Sequence, residues 1–246
     1  MSARNPIIVA LDLDSPEKAL ALADQLRGAV GAVKVGSQLF TAAGPDIVRR
    51  LTERGHRVFL DLKYHDIPNT VAGAAAEAAR LGAWMIDVHA SGGLAMMKAA
   101  RESAHASAEA AGVTRPLIIG ITVLTSFDQN TMESVGIERP IGDQVDALAW
   151  LAQEAGLDGV VASPHEVARL RAARRNPFVL VTPGIRASTP DEAGRKRDDQ
   201  ARTMTAGAAI AAGASFIVVG RPIIAASDPL AAAEALAREA TVTSPR

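Results

Sequence analysis

One stretch organises the whole sequence: Val58-Phe59-Leu60-Asp61-Leu62-Lys63-Tyr64-His65-Asp66-Ile67-Pro68-Asn69-Thr70. Its apolar start predicts a buried strand over residues 58–62, and the alanine-rich residues 71–81 that follow predict a helix. Side chains two apart in a strand point to the same face, so Asp61 and Lys63 should project together where the strand ends. Asp66 lies beyond that end, in the connecting loop. Three charges at one strand mouth are costly unless they pair; the alternative is a solvated loop with a chance ion pair.

The same strand-and-helix unit recurs along the chain. Ser15 can cap a first helix that begins at Pro16, and residues 44–54 predict another helix. Near-continuous apolar runs are typical of a parallel sheet that is buried on both faces. Eight such runs predict strands over residues 7–11, 32–36, 58–62, 84–89, 117–122, 159–162, 178–181 and 215–219.

This eightfold alternation decides the fold class. Over a chain of 246 residues it predicts an α/β protein, a single-domain (β/α)8 barrel spanning residues 1–246. The alternative is an open doubly wound sheet, which would carry a glycine-rich fingerprint after the first strand. The chain reads Asp12-Leu13-Asp14-Ser15 there, which favours the barrel.

Composition excludes several classes of function. The net charge is −1, with 26 Lys and Arg against 27 Asp and Glu, so no global basic field attracts nucleic acid. The absence of cysteine excludes disulfides and thiolate chemistry. No apolar run is long enough to span a membrane, and the N-terminus lacks the apolar core of a signal peptide, so we expect a cytoplasmic protein. The five histidines show no paired metal-ligand spacing.

Chemistry in a barrel of this kind occurs at the carboxyl ends of the strands. Two lysines and several acids converge on that mouth, which is more charge than a core requires, and such costs are retained mainly at functional sites. The polar residues at the predicted strand ends are Asp12, Lys34, Asp61, Lys63, Asp87, His89, residues 122–126, Ser163, Thr182 and Arg221.

The loops after the seventh and eighth strands predict a phosphate site. They read Thr182-Pro183-Gly184-Ile185-Arg186 and Gly220-Arg221-Pro222. Glycine lets backbone N–H groups approach a phosphate dianion and arginine adds a charged fork, although capping glycines and surface arginines would look the same in either loop alone. Residues 186–200 form the most polar stretch of the chain, which suits a lid over the phosphate or, alternatively, an exposed loop without a role.

The chain resembles the orotidine 5′-phosphate decarboxylase family, in its bacterial form. The resemblance covers nearly everything from Asp12 to Arg221, and its most specific part is the stretch over residues 61–70. Supporting pieces lie at residues 88–93, 122–126, 182–186 and 219–222. A lone Asp-x-Lys-x-x-Asp would be a weak signal, whereas five pieces in this order are a strong one.

The resemblance implies a cofactor-independent, metal-free conversion of orotidine 5′-phosphate to uridine 5′-phosphate in pyrimidine biosynthesis, by a homodimer. At the reacting end, the resemblance implies that Lys63 gives a proton to C6 of the pyrimidine and that Asp61 lies beside the departing carboxylate. Lys34 and Asp12 would hold ribose hydroxyls and complete the charge chain.

The resemblance also implies contacts away from the reacting carbon. Asp66, Ile67 and Thr70 would reach into the neighbouring subunit's site, and Thr125 and Ser126 would contact the base. The residues implied for the phosphate side are Pro183, Arg186, Gln200, Gly220 and Arg221.

One departure from the family pattern concerns the phosphate side. The segment between Arg186 and the family's phosphate-binding glutamine is longer here than in bacterial relatives. Gln200 takes that role because it is the only glutamine between Pro183 and Arg221. The extra residues are expected to extend the lid without changing the reaction.

Two alternatives compete with this function. Hexulose-phosphate synthases and keto-gulonate-phosphate decarboxylases share the Asp-x-Lys-x-x-Asp spacing but use a magnesium-bound enediolate, with a glutamate ligand at the end of the second strand. Lys34 stands there in this chain, and a cation would repel Mg²⁺. A non-catalytic phosphate- or nucleotide-binding barrel would keep Gly220 and Arg221. It would not need the four charged residues Lys34, Asp61, Lys63 and Asp66 together. We expect a small nucleotide as partner, and neither nucleic acid nor a membrane.

Overall fold

Eight parallel strands close into a barrel in the computed structural model, which describes residues 5–186 and 203–242. The predicted fold class, a (β/α)8 barrel, is confirmed. The barrel strands are β1 Ile7–Ala10, β2 Ala32–Gly36, β3 Val58–Tyr64, β4 Met85–His89, β5 Leu117–Ile121, β6 Gly159–Val161, β7 Val179–Thr182 and β10 Phe216–Val219. Each pairs with the next along the chain, and β10 closes the barrel against β1. Most lie within a residue of their predicted bounds, but β3 continues two residues past the predicted Leu62.

Helices follow the strands and cover the outside of the barrel. Ser15 caps the first helix as predicted, because its side chain accepts a hydrogen bond from Lys18 N at 3.3 Å. The helix predicted over residues 44–54 is preceded by another, and Gly44, at a φ of +65°, separates the two. The helices are α1 Pro16–Gln25, α2 Ser37–Ala43, α3 Asp46–Glu53, α4 Pro68–Arg80, α5 Gly93–Ala110, α6 Gln129–Ser134, α7 Ile141–Glu154, α8 Val167–Ala173, α9 Ala206–Ala211, α10 Arg221–Ile224 and α11 Pro229–Val242, with 3-10 turns at Ala90–Gly92 and Pro164–Glu166.

Strand periodicity places charge directly above an apolar layer. Ala32, Phe59 and Met85 belong to a buried cluster of β2, β3 and β4. Two residues further along the same strands stand Lys34, Asp61 and Asp87. Since residues two apart share a face, the apolar cluster forms a floor, and these three charged residues lie one layer above it, towards the carboxyl ends of the strands.

A short pair of strands lies outside the barrel, after β7. Ile185–Arg186 (β8) pairs with Met204–Thr205 (β9) in parallel. The contact is extended by a 3.1 Å hydrogen bond from Met204 N to Gly184 O. The sequence analysis treated this region only as a loop, so the pair is an addition to the predicted elements. Among the described residues, no helix is both long and apolar enough to cross a membrane.

Candidate active site

A cavity of about 570 Å³ opens at the carboxyl ends of the barrel strands. Its floor and one wall are apolar, formed by Phe59, Ile121, Val161 and Val218 among others. Eight of the residues predicted for the site line it: Asp12, Lys34, Asp61, Lys63, Thr125, Pro183, Gly220 and Arg221. The charged residues predicted at the strand ends and the residues predicted in the loops after β7 and β10 therefore line one cavity.

Acids and lysines alternate along the ends of the first three strands. Lys34 Nζ lies 3.2 Å from Asp12 Oδ1 and 3.2 Å from Asp61 Oδ2. The other oxygen of Asp61 contacts Lys63 Nζ. The side chains of Lys34 and Asp61 are only 10% and 11% exposed, so the attraction between them is little screened by solvent. This chain of charges runs unbroken from Asp12 to Lys63.

The backbone at Lys63 departs from a regular strand. Lys63 has a φ of +51°, the only positive φ of a non-glycine residue in the part of the chain that is described. Leu60 pairs with Ile86 and Tyr64 with Val88, so four steps along β3 match two along β4. The extra residues form an irregularity of the kind often found beside active sites. Asp61 and Lys63 do meet as predicted, but simple strand alternation is not what brings them together.

The surroundings of the cavity shift the pKa values of its two buried acids in opposite directions. Burial alone would raise the pKa of Asp61, but Lys34, a hydrogen bond from Asp87 and Lys63 outweigh it and hold that pKa below its ordinary range. Burial would lower the pKa of Lys34, yet Asp61 and Asp12 raise it above its ordinary value. Burial, reinforced by Asp61, raises the pKa of Asp87 well above that of a free aspartate. Of these two acids, Asp61 is therefore the one that ionises more readily.

The residues predicted to reach another subunit lie outside this cavity. Asp66, Ile67 and Thr70 follow β3 at the start of α4, and all three are exposed, Ile67 to 66%. Asp66 Oδ1 accepts a hydrogen bond from Ile67 N at 2.6 Å, which shapes the turn into the helix. Within one chain these residues do not join the acids and lysines described above.

Two further predicted residues are not part of the cavity wall. Ser126 is exposed and does not line the cavity, although Thr125 beside it does. Arg186 is exposed on β8 and is also absent from the lining, while Pro183 of the same loop is present. Gln200 lies outside the described residues.

The part played by Asp87 was not predicted from the sequence. It appeared there only as one of several polar residues at strand ends, but the structure buries it fully in the cavity wall. Asp87 Oδ1 accepts a hydrogen bond from Lys63 N at 2.8 Å. The available signal was its position two residues after Met85, on the inward face of β4. No group of three or more metal-ligating side chains occurs among residues 5–186 and 203–242.

Fold and site together define a (β/α)8 barrel whose mouth combines alternating carboxylates and lysines with glycine-containing loops that carry arginines. The chain belongs to the orotidine 5′-phosphate decarboxylase / HUMPS family, whose model matches residues 5–236. The family predicted from the sequence is thereby confirmed.

Relatives and solved structures agree with this membership. The chain is 51% identical to orotidine 5′-phosphate decarboxylase of Syntrophotalea carbinolica, over 97% of this chain and 96% of the relative. It is 52% identical to the protein of the same name from Moorella thermoacetica, over 97% and 93% of the two chains. The crystal structure of orotidine 5′-phosphate decarboxylase from Lactobacillus acidophilus matches with a TM-score of 0.83 and 40% identity, covering 96% of this chain and 99% of the other.

Proposed function

We propose that this protein decarboxylates orotidine 5′-phosphate to uridine 5′-phosphate, a step of pyrimidine biosynthesis. The observation that carries the proposal is the unbroken chain Asp12–Lys34–Asp61–Lys63 at the wall of the cavity. Relatives about half identical over nearly the whole chain bear the name of this activity, which supports it. The same chain of charges argues against the magnesium-dependent alternative, because the ammonium of Lys34 occupies the place where that chemistry needs a ligand.

The chemistry requires a cation and a proton at one point. When the C6–carboxylate bond breaks, CO₂ leaves and the electron pair stays on C6 as a vinyl carbanion that no neighbouring carbonyl delocalises. The ammonium of Lys63 stabilises that charge and then transfers a proton to C6, after which water reprotonates the amine. Asp61 contacts Lys63 with one carboxylate oxygen and Lys34 with the other. The ammonium of Lys63 is therefore positioned before the substrate binds. No metal or cofactor enters this scheme.

The phosphate end of the substrate is assigned to the side of the cavity formed by the loops after β7 and β10. Gly220 and Arg221 follow β10, and Pro183 and Gly184 follow β7, so the two loops meet at the site where this fold commonly binds phosphate. Binding energy from the phosphate can be used to order the reacting end of the substrate. Arg186 and Gln200 are proposed to complete this subsite. Thr125 and Ser126 are assigned to the base.

A decarboxylation assay with matched lysine variants tests the reaction. Loss of orotidine absorbance should follow addition of orotidine 5′-phosphate to the protein, and it should persist in the presence of a metal chelator. Lys63→Ala should raise the activation free energy by ~5 kcal/mol or more and so remove almost all turnover, since it removes both the charge and the proton. Lys18→Ala is the control, because Lys18 makes only an exposed pair with Asp14 at 3.3 Å. Near-normal turnover in Lys63→Ala would refute the role of Lys63.

We also propose that the protein acts as a homodimer in the cytoplasm, with Asp66 of one chain completing the cavity of the other. The exposure of Asp66, Ile67 and Thr70 supports this, because a large apolar side chain such as Ile67, exposed to 66%, is suited to burial against a second copy. Ile67 and Thr70 would contact the substrate of the neighbouring site in the same way.

Complementation between inactive variants tests the shared site. Lys63→Ala and Asp66→Asn should each be nearly inactive, and their subunits are then allowed to exchange. One site of each mixed dimer receives both defects, while the other has an intact Lys63 and an intact Asp66. Random exchange makes about half of the dimers mixed, so about a quarter of all sites should recover. If exchange is verified by mass and no activity returns, Asp66 serves its own chain and the shared-site model is wrong.

A further inference from the structure

Asp87 replaces a hydrogen bond that the irregularity in β3 removes from the sheet. In a regular parallel pair the N–H of a residue in Lys63's place would donate to a backbone carbonyl of the neighbouring strand. The shift of register between Leu60 and Tyr64 breaks that pattern. The N–H of Lys63 donates instead to Asp87 Oδ1 at 2.8 Å, and Lys63 adopts its φ of +51° at the same point.

The second oxygen of Asp87 indicates that this carboxyl group carries a proton. Asp87 is 0% exposed, and among the described residues its Oδ2 accepts no hydrogen bond. Asp87 and Asp61 contact the same residue, Asp87 at the N–H of Lys63 and Asp61 at its ammonium, and the two carboxyl groups act on each other's protonation. Two buried carboxylates in contact cannot both be ionised cheaply, whereas one proton between them turns repulsion into a hydrogen bond. Asp61 is the ionised member, since Lys34 and Lys63 both contact it.

We propose that Asp87 is a positioning residue for the reaction, acting as a neutral carboxylic acid that accepts the Lys63 N–H with one oxygen and donates its proton to Asp61 with the other. In this arrangement Asp87 fixes the backbone and, through Asp61, the ammonium of the proton donor. Asp87 itself need not carry charge. The proposal rests on the proposed decarboxylase function for its kinetic consequence, but its structural part stands apart from that function.

Two substitutions of similar size distinguish a positioning role of Asp87 from a role that requires its negative charge. Asp87→Asn keeps an acceptor for Lys63 N and a donor for Asp61 but cannot ionise, so kcat should stay within about threefold of the unsubstituted protein and the pH profile should not shift. Asp87→Leu fills the space without either hydrogen bond. A displaced catalytic group can cost about 100-fold, so kcat should fall by that factor while the affinity for uridine 5′-phosphate changes little.

A matched control comes from the opposite end of the barrel. Asp158 Oδ2 accepts a hydrogen bond from Ile118 N, in β5, at 2.7 Å, which is the same kind of contact far from the cavity. Asp158→Leu should lower the melting temperature without lowering kcat of the folded protein. If Asp87→Leu does not fold, Asp87→Ser takes its place, since a hydroxyl cannot span from Lys63 to Asp61.

Amide exchange at Lys63 supplies a readout that does not depend on activity. The Lys63 N–H should be protected in the unsubstituted protein and in Asp87→Asn, and should exchange at least about tenfold faster in Asp87→Leu. A protein with this exchange pattern but no decarboxylase activity would refute the proposed function and keep the hydrogen-bond assignment. An inactive Asp87→Asn, or an Asp87→Leu with normal kcat, would overturn the positioning role.

Discussion

The left-handed backbone at Lys63 should be measurable as strain. A φ of +51° costs an L-residue roughly 1–2 kcal/mol, which glycine avoids. Lys63→Gly and Lys63→Ala remove the same ammonium and differ only in the Cβ atom. Glycine also gains freedom in the unfolded chain, which offsets about 0.5–1 kcal/mol. We therefore expect Lys63→Gly to be more stable than Lys63→Ala by about 0.5–1 kcal/mol.

Thermal unfolding at one protein concentration measures this difference. For a chain of this size 1 kcal/mol shifts the melting temperature by roughly 2–4 °C, so Lys63→Gly should melt about 1–4 °C above Lys63→Ala. The same pair at Lys18, inside helix α1, is the control. There glycine should be less stable than alanine by about 1 kcal/mol, which is the opposite sign. If the Lys63 pair shows the sign of the Lys18 pair, the backbone at Lys63 is not strained as described.

Three further predictions concern phosphate binding, stability at low pH and stability at high pH. Arg221→Ala should weaken binding of orotidine 5′-phosphate by roughly 2–5 kcal/mol but barely alter turnover of a substrate without phosphate; equal damage to both would make Arg221 structural. Hydrogen bonds from His56, then Arg27 and Arg54, lower the pKa of Asp24 to about 2. The contribution of Asp24 to stability is therefore present above its ordinary pKa and is lost as pH falls from about 4 to 2. Acid unfolding of Asp24→Asn should lack this loss. Burial raises the pKa of Tyr64 to about 12, so stability should fall as pH rises from about 10 to 12. Tyr64 is the only tyrosine, and tyrosinate absorbance near pH 10 in a still-folded protein would contradict that shift.

The predictable part of the molecule follows from strand periodicity. Apolar runs of four to six residues located all eight barrel strands, and polar residues at their ends located Asp12, Lys34 and Asp61. Those positions depend only on a period of two and on the rule that barrel chemistry lies at the carboxyl ends of strands. The resemblance to a family added the roles, which no pattern of residues states by itself.

The unpredicted part depends on contacts between elements. Lysine has no preference for a positive φ, so nothing at Lys63 indicated an irregular strand. The partnership of Asp87 with Lys63 arises from the register between β3 and β4, and register is a tertiary property. The exposed residues Asp66, Ile67 and Thr70 are a further limit, because their proposed contacts lie on a second copy of the chain.

The β8–β9 pair determines how the chain between these two strands can change in length. Arg186 and Thr205 are held opposite each other, so the chain leaves the barrel and returns to it at neighbouring points. Insertions and deletions between those points leave both anchor points in register, and doubling the length of the connecting chain costs only about 0.6 kcal/mol of closure entropy. The residues assigned to the phosphate on either side, Pro183 and Arg221, are thereby insulated from such changes. The connection between β8 and β9 can therefore change in length while Arg186 and Thr205 stay paired.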